Sequence, residues 1–522
     1  MFDILIQGGR IVDGSGMPWY DGDVGIQDDR IAAIGRLASA DARHRIDATD
    51  KVVAPGFIDA HVHGDLALLA DRLHEPAVRQ GVTTYIIGQD GVAMAPSSQA
   101  TRSFMCRYTA GFSGGLEFAP GHLPQKPFLS MAEYLALFDR KCAINVCCLV
   151  PNGNVRMDVM DLDPRPATAA ELSSMRQLVR NGMTDGAVGL SSGLDYIPSF
   201  YADTAELTAL CEEIAPFGGV YVTHMRSYTP EGVLAAMDEV ERIGRDAGVA
   251  VHISHLNCLA DQVLPRIDQM RSRGIDVTYD LYCYLAGSTI LGMIALPPWV
   301  QEGGIDATVE RLQDETIRKK LKEWFASSPR PLGPVKLTYV HAGEYRLHEG
   351  KSLEHAARDA GYEMGTFICE ILAKSRMAVG CVVPHHEKRT DADIRALMRH
   401  PAMMAGSDGI YTGQFPHPRG TGCFAKYLGH YVRTGVWTLE ECVQKLSAHA
   451  ARRYRLKDRG LLREKMIADV VVFDPNRVED RSTYENGREL ALGMEHVIVS
   501  GEMVLAAGNR TRALTGRALM RG

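Results

Sequence analysis

The 522-residue chain predicts an α/β protein. The expected architecture is a (β/α)8 barrel with a small β-sandwich domain formed by both chain ends. An inserted subdomain precedes the last barrel strand. Three observations carry this expectation. Eight short apolar runs alternate with stretches of helical period, both ends of the chain are β-rich, and more than a hundred residues separate the seventh apolar run from the eighth. Periodicity alone cannot close a barrel, so an open doubly wound sheet is the alternative.

The first 53 residues contain "DILIQGGRIVDG", "DVGIQDDRIAAIG" and "KVVAPG", short alternating bursts cut by Gly and Asp that read as strands joined by tight turns. The same style returns in "ADVVVFDP", "HVIVSGEMVLAAG" and "RALTGRALM". Pairing the two ends gives one small domain, 1–56 with 468–522, and keeps the termini close. The barrel is then expected over 57–467. Its strands are "GFIDAHVH", "TTYIIGQD", "AINVCCLV", "AVGLSS", "VYVTHM", "VAVHISHL", "DVTYDLYCY" and "AMMAGSD", and helices are clear at 202–215 and 231–248. Structureless loops of a hundred residues are uncommon, so an inserted subdomain or lid is expected at roughly 290–380.

With 46% hydrophobic and 23% charged residues, the composition is that of a globular protein. A net charge of −7 gives no electrostatic case for nucleic acid or an anionic membrane. The eleven cysteines include no C-x-x-C pair, which points to a reducing compartment and buried thiols. Met1-Phe2-Asp3 lacks the basic and apolar regions of a signal peptide, and the longest apolar run is too short to span a bilayer. A cytoplasmic protein is expected.

Polar residues gather at the strand ends. His61 and His63 close the first strand, Asp90 the second, His224 the fifth, His255 the sixth and Asp408 the eighth. An H-x-H pair alone serves structure as readily as metal binding, and an Asp in "GSDG" alone is usually a turn. Placed together at the C-terminal ends of barrel strands, where such active sites form, they supply the N and O donors of a zinc-like ion. His252 lies three residues before His255 and should face away from it. His341, His385 and His386 lie in or after the insertion, and Cys258 and Cys283 read as packing.

The stretches "PGFIDAHVHGD", "GVTTYIIGQDGVAMAP", "GAVGLSSGLDYIPSFYADTAELTAL", "YVTHMRS", "YDLYCYLAGST", "MMAGSDG" and "HPRGTGCFAKYLGHYVR" resemble the amidohydrolase superfamily, within it the D-aminoacylase group. The resemblance covers nearly the whole chain. It implies that His61 and His63 serve one metal position, and His224 and His255 a second. Asp408 would stand by the metal and act as the catalytic aspartate. Arg419 would hold the substrate carboxylate, with Tyr284 as the first choice and Tyr282 as the second for the substrate-binding tyrosine. The implied substrate is an N-acyl-D-amino acid and the implied cofactor zinc, one or two divalent ions. A homo-oligomer remains open.

Three departures from the group's pattern stand out. "GQDG" replaces "GNCG", which puts Asp90 where a metal-binding cysteine is usual. Asn257 replaces a lysine that grips the substrate carboxylate, and Pro151-Asn152-Gly153 replaces "GHG". The fourth strand offers neither Lys nor Glu to bridge two cations, so Asp90 is the best-placed carboxylate. Its flanking Gly88 and Gly91 are expected to allow a close approach of backbone and metal. The expected chemistry is metal-assisted amide hydrolysis, because Ser191 and Ser192 lie in no G-x-S-x-G elbow. The alternatives are a cyclic-amide hydrolase of the hydantoinase or dihydroorotase kind and an inactive structural relative.

Overall fold

The structure is a computed structural model that describes residues 1–115, 119, 121–327 and 330–521. Eight strands run parallel in one ring: Phe57–Asp59, Val82–Ile87, Asn145–Cys148 continued by Val150–Pro151, Gly189–Gly193, Val220–His224, Ala250–Ile253, Val277–Leu281 and Met403–Ala405. The eighth strand returns to the first through Ala60 N–H to Ala405 O (3.1 Å) and Asp408 N–H to His61 O (2.7 Å). Nearly every strand residue is buried, as expected where helices cover a parallel sheet from outside.

The helices show why their sequences stop and start where they do. Thr204–Ile214 begins at Asp203, whose side chain accepts the N–H of Glu206. Val233–Ala247 buries Val233, Ala236, Met237, Val240, Ile243, Gly244 and Ala247 on one face, and ends at Gly248 with φ +66. Among the described residues, no helix is long and apolar enough to cross a membrane.

Both chain ends enter one nine-stranded sheet, joined where Val52–Pro55 pairs antiparallel with Val470–Phe473. The strand Phe2–Ile11 divides one of its edges between Ala42–Asp47 and Val52–Pro55, so the sheet branches there. Residues from both arms, including Ile4, Ile26, Ile46, Val53, Val470 and Ile498, share one apolar cluster. The final segment departs from the expected β domain. Ala518 bridges Val146 of the third barrel strand, and Gly516 N–H donates to Cys142 O at 2.9 Å. The tail therefore pairs with the barrel rather than with the terminal sheet.

The inserted segment forms a three-stranded antiparallel sheet, with Val379–Pro384 between Ala286–Ile290 and Lys336–Val340, plus helices that include Gly304–Gln313 and Met364–Lys374. It leaves the barrel after the seventh strand and so stands over the C-terminal face. There it meets the loop after the second strand: a Cβ on Gly380 would lie 2.3 Å from Gly111 O, so the two backbones can touch only because both residues are glycine. Phe112, on that loop, packs 4.6 Å from the His63 ring. Insertion and loop together shield the strand ends from water.

Candidate metal centre

His61, His63, Asp90, His224, His255 and Asp408 converge at the C-terminal end of the barrel, each no more than 8% exposed. Three triads bring their donor atoms within 4.8 Å of one another: His61–His63–Asp90, His61–His255–Asp408 and Asp90–His224–His255. Asp90, His255 and Asp408 have φ of 55, 33 and 51, left-handed conformations that non-glycine residues seldom adopt and that gather at functional sites. Each lies just past its strand, where the chain turns to aim a side chain at the barrel axis.

Asp90 is the hub. Its Oδ2 lies 3.3 Å from His63 Nε2, 3.6 Å from His224 Nδ1 and 3.7 Å from His255 Nε2, while its Oδ1 is 3.6 Å from His61 Nε2. Asp90 Oδ1 and His61 Nε2 are buried without hydrogen-bond partners. Orphaned polar atoms are costly in a protein interior, and two that face each other among further donors mark a place for a ligand. The flanking glycines permit close contacts with the protein backbone. A Cβ on Gly88 would meet Leu149 O at 2.6 Å, and one on Gly91 would meet Gly193 N at 2.9 Å. They let the turn press against the neighbouring strands, and that contact fixes the carboxylate.

The electrostatics favour a cation. Burial pushes the His63 pKa down, but Asp408 and Asp90 outweigh it and raise it to about 9. For His224, Asp195 and Asp90 likewise overcome burial and raise the pKa to about 10. Burial pushes Asp408 up, whereas Arg419 and the nearby imidazoles bring it down to about 2. Carboxylates this well ionised draw protons onto imidazoles that a divalent cation can replace. Imidazole nitrogen with carboxylate oxygen is a donor set that suits zinc or a similar ion. The residues present fit such a group.

Behind the cluster stands Asp280, fully buried on the seventh strand. Its Oδ2 lies 3.3 Å from His61 Nδ1 and 2.9 Å from His252 Nε2, and its Oδ1 accepts the His255 N–H at 3.0 Å. A proton on His61 Nδ1 leaves the Nε2 lone pair pointing into the cluster, so Asp280 sets the tautomer. His252 thus faces away from the cluster, bonded to Asp280. Asp195, 3.4 Å from His224 Nε2, orients that ring in the same way. Neither carboxylate closes a barrel strand; a lone Asp inside an otherwise apolar strand is the one sequence signal for Asp280.

Arg419 is fully buried beside the cluster. Its Nη1 lies 2.9 Å from Asp408 Oδ2, its Nη2 donates to Ser288 O at 3.1 Å, and its guanidinium sits 4.6 Å from the Tyr282 ring centre. Nη1 is near its partner without a hydrogen-bond alignment, and Nε has no acceptor, so the fork keeps donor capacity. Tyr282, the second choice from sequence, is the tyrosine that reaches Arg419. The first choice, Tyr284, packs on His417, Tyr484 and Lys426. The regular strand ends at Leu281, so alternation no longer decides which way 282 and 284 point. Asn257 is 8% exposed and accepts Arg389 Nη2 at 2.6 Å on its Oδ1, while its Nδ2 has no partner. His385 stacks on Tyr282 at 5.8 Å.

Comparison with known proteins agrees with this geometry. Residues 45–505 match the amidohydrolase family. A D-aminoacylase of Alcaligenes xylosoxydans xylosoxydans is 33% identical over 100% of this chain and 98% of its own. An N-acyl-D-glutamate deacylase of the same organism is 34% identical over 96% of this chain and 93% of its own. The crystal structure of N-acyl-D-glutamate deacylase from Bordetella bronchiseptica, complexed with zinc and a phosphonate mimic of the tetrahedral intermediate, superposes with a TM-score of 0.82 at 32% identity, covering 100% of both chains. The chain belongs to the amidohydrolase family, in its D-aminoacylase group.

Proposed function

We propose that this protein is a metal-dependent deacylase that hydrolyses the linear amide bond of N-acyl-D-amino acids. The observation that carries the reading is the convergence of four imidazoles and two carboxylates, with two orphaned donor atoms at its centre. The substrate class follows from full-length similarity to deacylases of linear N-acyl-D-amino acids, which favours it over a cyclic amide.

His61, His63 and Asp90 would hold one divalent cation, zinc by preference, and Asp90, His224 and His255 a second, with Asp90 shared. When bound, such an ion lowers the pKa of water toward ~7 and polarises a scissile carbonyl. Asp408 accepts a proton from the attacking water and returns it to the departing nitrogen. Arg419 keeps Asp408 ionised and turns its free donors toward the substrate carboxylate, and Tyr282 fixes the guanidinium plane beneath it. Asn257 offers its unpartnered Nδ2 as a further donor. Eleven buried, unbridged cysteines support a reducing, cytoplasmic compartment.

A matched panel of D and L N-acyl amino acids, their amides, and cyclic amides tests the substrate. D-configured free acids should be the best substrates. Arg419→Lys should raise KM most for those acids, by about one to two decades, because a charge-assisted hydrogen bond contributes roughly 1.5–3 kcal/mol. Dominance of L-isomers or cyclic amides would overturn the assignment.

Asp280→Asn should preserve the fold and weaken metal affinity by about 10–100-fold, the usual effect of losing a carboxylate that orients a ligating histidine. Titration of the metal-free protein with zinc measures this directly. Unchanged affinity would mean that His61 needs no orientation from behind.

A further inference from the structure

We infer that Arg389, from the segment that follows the inserted sheet, is a second specificity-determining residue, which takes a carboxylate of the substrate. The inference rests on the deacylase reading and adds a residue that no barrel strand supplies. Arg389 is 4% exposed, yet it forms no ion pair among the described residues. Its Nη2 donates to Asn257 Oδ1 at 2.6 Å, its Nη1 to the Tyr284 carbonyl at 3.0 Å, and its Nε finds no acceptor. Asp393 acts on it from further off, but that carboxylate is occupied: it accepts Ala260 N–H at 2.9 Å and Thr390 N–H at 2.8 Å.

A guanidinium cannot shed its proton, so burying one without a counter-charge is costly unless something else brings the charge. The position of Arg389 says where that charge would come from. Asn257 is two residues beyond His255, and Tyr284 follows the end of the seventh strand. Tyr282 lies in the field of both Arg389 and Arg419, as does His385, which stacks on it. Two buried guanidinium groups thus flank Tyr282 and His385, close to the metal ligands. Among the described residues only one carboxylate, Asp408, pairs with either, and it also lies 3.2 Å from His63 Nε2. The unpartnered Asn257 Nδ2 and Arg389 Nε are the donors left over. A carboxylate suits them, because the guanidinium brings the opposite charge and the two N–H donors can meet its two oxygens. That carboxylate is either the α-carboxylate of any N-acyl amino acid or the side chain of an acidic one.

Calorimetric binding of uncleavable sulfonamides to the metal-loaded protein tests this without needing turnover. The probes are N-methylsulfonyl-D-leucine, its primary amide, and N-methylsulfonyl-D-glutamate. Arg389→Gln, which keeps a donor to Asn257 and loses the charge, should weaken binding of a free acid about tenfold to a hundredfold and leave the leucine amide within about twofold. Weakening of both acids assigns the α-carboxylate; weakening of the glutamate probe alone assigns the side chain. Arg389→Lys should retain most of the acid preference. Asn257→Lys placed in the Arg389→Met background should restore part of it, since the side chain at 257 already touches the guanidinium. Binding of both acids unchanged in Arg389→Gln, each relative to the leucine amide, overturns the inference. The deacylase reading fails separately, if wild-type protein binds the acids with this preference but cleaves no N-acyl amino acid.

Discussion

Asp408→Asn should lower kcat by at least about 10²–10⁴, the range typical of lost general acid–base catalysis, while the protein stays folded. The carboxamide has the same shape, and the backbone that places it is held independently by Asp408 N–H on His61 O at 2.7 Å. What the variant loses is an atom able to take a proton. Among the described residues no neighbour can replace it. Asp90 faces four imidazoles, and Asp280 is turned to His61, His252 and the His255 N–H. Asp195 reaches only the far nitrogen of His224. Because Arg419 loses the anion beside it, KM for free acids should not rise, so the defect should sit in kcat. Steady-state kinetics on metal-replete protein decides the matter. A kcat near wild type would remove Asp408 from the proton path.

The barrel was legible because most of its strands are apolar runs, and because each polar ligand sits where such a run stops. "GFIDAHVH" shows both signals within eight residues. The residues that orient the ligands were harder to see. Asp280 lies inside a strand, and only the fold reveals that His61, His252 and His255 surround it. Arg389 lies 132 positions from Asn257, on a segment whose path is set by the insertion, so no local pattern connects the two. Tyr282 lies against Arg419 and Tyr284 against His417 and Tyr484, and no alternation could foretell this because the strand ends before either of them. The last residues, read as a terminal strand, pair with Val146 instead, a contact that hydrophobic alternation cannot assign to one sheet or another.

His255→Ala should strip the protein of most of its bound metal. Elemental analysis of wild-type protein should find zinc or a similar divalent ion, and the variant should carry little. His255 belongs to two of the three donor triads, with His61 and Asp408 and with Asp90 and His224, so its loss leaves only His61–His63–Asp90 intact. Its Nε2 lies 3.0 Å from His224 Nδ1 and 3.7 Å from Asp90 Oδ2, and alanine offers no donor there. The backbone adds a second reason: position 255 is held at φ 33 with its N–H on Asp280, which pins the chain there against shifting another residue into the vacated place. Stability gives an independent readout. An ion at about a hundred times its Kd stabilises the native state by ~2.7 kcal/mol. A chelator should therefore lower the Tm of the wild type and leave the already metal-poor variant unmoved. Full metal content in His255→Ala, with a Tm as sensitive to chelator as the wild type, would place the ion elsewhere.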